Sequence, residues 1–291
     1  MAASKEPRRE HPSTYPVQDR SNEEELVRLH IQDQMLTTSM SGPLPEQTNP
    51  GSIRRVLDVG CGTGDWLIET AKAFPEISLL VGVDISARMI EFAREQAAAQ
   101  QVVQRVEFRT MDALRMLEFP RSYFDLINQR LGMSYLRTWD WPRLLQEYQR
   151  VTRPGGIVRI TELETNVETT SPAQIKLNDV IRSAFVQAGH YFTPKGEGSI
   201  GVTDYLAPLL YQFGFSNIQS RLNRIEFRAG TPSGQHYTED MVRLFRTNLP
   251  FLRKWTLVPD DYEQTYQQML REMQQPDFIA VWRLFTVWAT V

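Results

Sequence analysis

Cysteine is almost missing: Cys61 stands alone among 291 residues, so no internal disulfide can form. A reducing, cytoplasmic setting fits that usage. Excess charge of one sign is missing too. The 32 basic against 35 acidic residues leave a net charge of −3, no field that would gather nucleic acid or anionic lipid. No apolar run reaches the roughly 18 residues a membrane span needs, so no membrane insertion is expected. The first 20 residues are polar and proline-containing and lack the apolar core of a secretory signal; they read as a disordered leader. No repeat or low-complexity tract occurs. No His/Cys/carboxylate grouping has metal-ligand spacing, so no metal is expected. What is present is ordinary for a soluble globular protein: 41% apolar and 23% charged residues. The length suits one large α/β domain with an elaboration, or two small domains.

Residues 21–52 form the first unit. Ser21 followed by Glu24 reads as a capping box. Leu26, Val27, Leu29, Ile31, Met35 and Leu36 then give an apolar face at helical spacing. The Pro/Gly/Ser-rich stretch 41–52 is a linker. From residue 53 to 164 short apolar strands alternate with helices. This alternation means right-handed βαβ units and a parallel sheet covered on both faces. Between 165 and 277 the alternation breaks into helices with one possible strand, NIQSRLNRIEF. Residues 278–291, with FIAVWRLFTVWATV, read as a buried final strand.

The strongest chemical signal is Val56-Leu57-Asp58-Val59-Gly60-Cys61-Gly62-Thr63-Gly64, between the first strand and first helix. Glycine permits unusual dihedrals and close approach of a ligand to the backbone. The carboxyl end of such a strand, beside a helix N-terminus, is where open α/β sheets bind nucleotide-like ligands. A dinucleotide loop reads G-x-G-x-x-G, and Asp65 occupies the place of its third glycine. An acid facing a pyrophosphate is repelled, whereas a sulfonium amino acid has no phosphate. A plain tight turn is the competing reading. Asp84 ends the second strand, 20 residues beyond Gly64. It can accept hydrogen bonds from ribose hydroxyls, or it is a helix cap competing with Ser86. Asp112 ends the third strand within reach of an adenine amino group, or is a surface loop acid.

In order, VLDVGCGTGDWL, VGVDIS, MDA, FDLINQR and RPGG resemble the class I S-adenosylmethionine methyltransferases over roughly residues 53–164. The likeness is to the quinone-biosynthesis and secondary-metabolite branch. It implies a Rossmann-like, mostly parallel, seven-stranded sheet and S-adenosylmethionine as cofactor. The glycine loop, preceded by Asp58, would hold the methionine moiety, and Asp84 the ribose. Asp112 and Ala113 would lie near adenine, with Ile85 and Met89 packed on it or simply in the core. Asn128 and Arg130 would line the methionine and acceptor side. The segment LVRLHIQDQMLTTSMSGPLP resembles the helical leader of some secondary-metabolite methyltransferases, where it covers the cofactor and sometimes exchanges between subunits. That resemblance makes residues 21–40 an expected lid, Tyr15 a lid residue, and a homo-oligomer the expected assembly.

A base is needed only where the acceptor must lose a proton. Glu162 and Glu164, at the end of the fifth strand, point the same way if the strand is regular. His190 beside Tyr191 and His236 beside Tyr237 are the other candidates; a lone histidine is more often structural or exposed. Cys61 reads as a small filler. Phe185, Tyr191, Phe192, Phe245, Phe251 and Trp255 form an aromatic helical cap, either around an apolar acceptor or around its own core. The expected acceptor is a small, partly apolar metabolite: prenylated, polyketide-like or quinone-like. A nicotinamide-dependent reductase and a non-catalytic S-adenosylmethionine-binding protein are the rival readings.

Overall fold

The computed structural model describes residues 14–17, 19, 22–48, 50–192 and 201–291. A helix, α1 (Glu23–Ser39), precedes the sheet. Then come β1 (Arg55–Val59), α2 (Asp65–Ala73), β2 (Leu79–Asp84), α3 (Ala87–Ala99), β3 (Val106–Thr110) and β4 (Phe124–Arg130). They are followed by α4 (Trp141–Val151), β5 (Thr152–Leu163), a short β6 (Glu168–Thr169), α5 (Pro172–Gln187) and α6 (Thr203–Gln212). The chain closes with β7 (Ser216–Arg228), α7 (Pro232–Thr247), α8 (Leu249–Trp255), α9 (Tyr262–Glu272) and β8 (Ile279–Thr290).

The strands order as β3-β2-β1-β4-β5-β8, with β7 paired on β8. β1 to β5 run parallel, and β8 is antiparallel to both β5 and β7. This is the expected mostly parallel Rossmann-like sheet. Among the described residues its strand count is eight, because two-residue β6 adds to the edge of β8. A two-residue strand carries no alternation, which is why the sequence pattern missed it.

Alternating residues of β1 explain the two-sided burial. Val56, with Leu80 and Leu126, packs under α2 and α3 alongside Trp66, Ile90 and Ala93. Leu57 and Val59, with Val81 and Ile127, face α4 through Leu144, Leu145 and Tyr148. A strand buried on both faces needs a continuous apolar run, and β1 and β2 have one. The strand order reverses between β1 and β4, which opens a crevice at their carboxyl ends.

Above that crevice sits a cap of α5, α7, α8 and α9, with α5 against α8 and α9. α1 lies across the crevice, against α7 and the start of α2. Its cap is Asn22, whose side chain accepts from the Glu25 amide, so the helix starts one residue later than a Ser21 cap requires. Ser21 itself lies outside the described residues. No described helix is long and apolar enough to cross a membrane.

Candidate active site

The glycine loop leaves β1 with Gly60, Gly62 and Gly64 all at positive φ. Three different reasons place them there. A Cβ on Gly60 would meet the Tyr135 hydroxyl at 2.6 Å. One on Gly64 would meet the Phe108 ring at 2.6 Å and the Ala93 methyl at 2.9 Å. Gly64 therefore serves helix–sheet packing and does not border the crevice. Only Gly62 faces open space, with nothing within 4 Å of an added Cβ.

A cavity of about 350 Å³ opens at this point. Its core side is lined by Asp58, Gly60, Gly62, Asp84, Ile85 and Met89, then by Asp112 and Ala113. Asp84 accepts from the Gly62 amide at 3.1 Å and from the Ser86 amide at 2.8 Å. Ser86, whose hydroxyl accepts from the Met89 amide, is the cap of α3. Asp84 is thus the brace of the glycine loop. Asp112 accepts from the Leu114 amide at 2.9 Å, which turns the chain after β3.

Asn128 lies beneath the cavity and does not line it. It is fully buried, donates to Asp58 at 2.8 Å and accepts from Arg159 at 2.7 Å; Arg159 in turn meets Glu46 at 2.7 Å. The chain of partners holds Asp58, whose carboxyl burial pushes up to about 7 against the lowering pull of Asn128 and Arg159. Arg130 does reach the cavity, but it is committed to Asp33 and Thr37 of α1.

The candidate bases separate sharply. Glu162 is fully buried and outside the cavity lining, so the two glutamates do not share a role. Its carboxylate accepts from the amides of Gly132 at 2.7 Å and Met133 at 3.1 Å and from Gln129 at 3.2 Å. It therefore fixes the short turn after β4. Burial raises its pKa to about 8. Glu164 lies just past the end of β5 and lines the cavity, 3.7 Å from Arg283. His190 is also outside the lining: it is buried against Phe185, near the Met133 carbonyl at 3.1 Å, and burial lowers its pKa to about 4. His236 is exposed on α7 and away from the cavity. Of the four expected candidates, Glu164 alone borders the space where an acceptor fits.

The cap side is aromatic. Phe185 stacks on Tyr191 at 5.3 Å, and Tyr237 stacks on Phe227 at 4.6 Å with Trp282 edge-on at 5.5 Å. Phe185, Tyr191, Tyr237 and Trp282 line the cavity; Phe245 and Phe251 do not and fill the cap's own core. Burial raises the pKa of Tyr191 and Tyr237 alike.

α1 closes the cavity over its own chain. Asp33 accepts from the Trp66 amide at 3.0 Å, at the open N-terminus of α2. His30 lies 2.8 Å from Asp65, the residue in place of a third glycine. Arg28 is the centre of a buried cluster: it meets Glu25 at 2.7 Å and Asp240 of α7 at 3.0 Å, and donates to the Tyr15 hydroxyl at 3.0 Å. Tyr15 donates to Glu25 at 2.5 Å, so this expected lid residue is part of the closure and of the cavity wall. An apolar stripe does not foresee such a cluster, because half of the buried residues of α1 are polar, Glu25 and Arg28 among them; Val27, read as apolar face, is exposed.

Tyr135, Gln174, Asn178 and Arg182 also line the cavity and were not singled out in the sequence. Gln174, Asn178 and Arg182 recur at intervals of four, a signal that was available on α5.

An open α/β sheet with a glycine loop and acids near successive strand ends defines a Rossmann-like domain. Residues 56–156 match the family described as a methyltransferase domain. Over 120 residues the chain is 38% identical to a demethylmenaquinone methyltransferase of Lactiplantibacillus plantarum, covering 41% of this chain and 48% of that protein. Over 111 residues it is 38% identical to the enzyme of the same name from Deinococcus radiodurans, covering 38% and 44%. The chain spans about half the length of these curated relatives. Among solved structures, the [4+2]-cyclase SpnF superposes over 94% of this chain and 97% of its own, with a TM-score of 0.50 and 16% identity. At that identity the likeness concerns the fold. Over residues 56–156 the core of this chain, a Rossmann-like α/β sheet, is thus similar to methyltransferase domains.

Proposed function

We propose that the protein transfers a methyl group from S-adenosylmethionine to a small, partly apolar metabolite of quinone-like, prenylated or polyketide-like character. The carrying observation is the two-sided cavity, with strand-end acids and an open glycine on one side and stacked aromatics on the other. The core side fits the cofactor. Gly62 leaves room against the backbone, Asp84 can accept from ribose hydroxyls, Ile85 and Met89 offer an apolar slot, and Asp112 lies at its end. The curated relatives' names support the quinone-like acceptor.

When bound, the cofactor supplies an electrophilic methyl on a sulfonium. The chain's own work is to orient the acceptor against it and keep water out. The stacked rings orient, and α1 encloses. Glu164 takes the acceptor proton where one must leave. Among the described residues α1 packs over the cavity of its own chain, against α7 and α2. A reducing, cytoplasmic setting fits the single buried cysteine. The test is incubation of the full chain with S-adenosylmethionine and a panel of quinols, prenyl diphosphates and polyketide phenols, read by mass. Gain of one methyl with release of S-adenosylhomocysteine is expected. Cofactor binding without any methylated product across the panel would overturn the acceptor class.

A further inference from the structure

Three arginines line the cavity: Arg28, Arg130 and Arg182. Arg28 is saturated by Glu25, Asp240 and Tyr15, and Arg130 is held by Asp33 and Thr37. Arg182 differs. Its one ion pair among the described residues is with Asp179, an exposed neighbour on the same helix, at 3.5 Å. Its Nε is buried and has no hydrogen-bond partner. Of the five described side chains with such an orphaned buried atom, Arg182 is the one on the cavity wall. A buried N–H without a partner costs free energy, so its presence calls for an explanation.

The surroundings supply one. Asn178 stands one helical turn before Arg182, lines the same cavity and makes no hydrogen bond among the described residues. Tyr191 is close enough for the Arg182 charge to pull its pKa down, against the larger upward push of burial. Two other polar groups on this wall are already answered: Glu164 faces Arg283, and the Gln174 amide binds Tyr237 and Thr169. A partly exposed guanidinium with an unpartnered N–H, an amide one turn before it and aromatic rings on the same wall match an aromatic or conjugated ligand ending in an oxyanion. Charge-assisted hydrogen bonds to a planar oxyanion suit this fork.

We propose that Arg182 and Asn178 form the acceptor's anchoring subsite, selecting a substrate with an apolar ring body and a carboxylate, phenolate or enolate oxygen. The proposal rests on the methyltransferase reading for the identity of the ligand as acceptor. The subsite sets affinity and orientation; the reacting atom lies nearer the glycine loop.

The test uses 2-naphthoate, its methyl ester and 2-naphthol as probes on the full chain saturated with S-adenosylhomocysteine. Quenching of Trp282 fluorescence, checked against Trp282→Phe, reports binding. The wild type binds 2-naphthoate at least about tenfold more tightly than the ester, the discrimination expected of one charged hydrogen bond. A similar preference for 2-naphthol, growing as pH rises and it ionises, would assign a phenolate; its absence would assign a carboxylate. Arg182→Ala abolishes the preference with ester binding unchanged, and Arg182→Lys keeps part of it. Equal binding of naphthoate and ester by the wild type, or a preference that survives Arg182→Ala, would overturn the subsite. Thermal stabilisation by S-adenosylhomocysteine is read separately; its failure condemns the cofactor assignment and leaves the subsite standing.

Discussion

The core side of the cavity is shaped by backbone, and the cap side by side chains. On the core side, positive-φ glycines, two amide donors to Asp84 and an Asx turn at Asp112 fix the wall. On the cap side, stacked rings and the charged cluster around Arg28 fix it. A backbone wall tolerates little change in residue type, because few residues adopt its dihedrals. A side-chain wall can be rewritten one residue at a time, which suits one cofactor and a varied acceptor.

The largest effect is expected at the join. Arg28→Ala leaves Glu25 and Asp240 buried without their cation. Breaking a buried pair in this way costs about 3–5 kcal/mol, read as a lowered denaturant midpoint. A loss below about 1 kcal/mol would mean the cluster is solvated and the lid loosely held. Next comes His190. Its folded pKa, about 4, lies below its unfolded value near 6.5. Between those values the unfolded chain binds more protons, so stability rises with pH. The neutral ring's contribution is present above pH 6.5 and lost as pH falls toward 4, about 3 kcal/mol in all. His190→Asn should flatten that acid limb; an unchanged slope would place the titration elsewhere. His30 works the other way, since its hydrogen bond to Asp65 raises its pKa and favours lid contact at low pH. The third prediction concerns chemistry. Glu164→Gln should lower turnover by roughly 10²-fold with S-adenosylhomocysteine affinity intact. Glu162→Gln should instead destabilise the fold, as it weakens the support of Gly132 and Met133. Equal turnover in Glu164→Gln and wild type would show that the acceptor loses no proton to this residue.

The core was legible because its signals are local. Alternating strands and helices, three glycines and an acid at each strand end sit within short windows, and alternation alone implies a parallel sheet. Asp84 and Asp112 landed on the cavity wall for that reason. The misreadings are of long range. Glu162 and Glu164 share a face only while β5 stays regular, and the strand ends at Leu163, between them. Asn128 lies beneath the cavity wall because Asp58 and Arg159 occupy its amide. Arg28 could not be paired with Asp240 from spacing, since 212 residues separate them. The cap is built from such contacts, so beyond aromatics such as Phe185 and Tyr191 its lining residues emerged only with the fold.

The measurement that bears most directly on the central claim is the melting temperature of the full chain with rising S-adenosylhomocysteine, beside Asp84→Ala. The wild type should gain about 2.7 kcal/mol of stability at a hundredfold excess over the dissociation constant. Asp84→Ala should need roughly tenfold more ligand for the same gain, the cost of losing hydrogen bonds to a buried ligand group. No shift in the wild type at millimolar ligand, or identical titrations of the two proteins, would contradict the assignment of the strand-end wall to the cofactor.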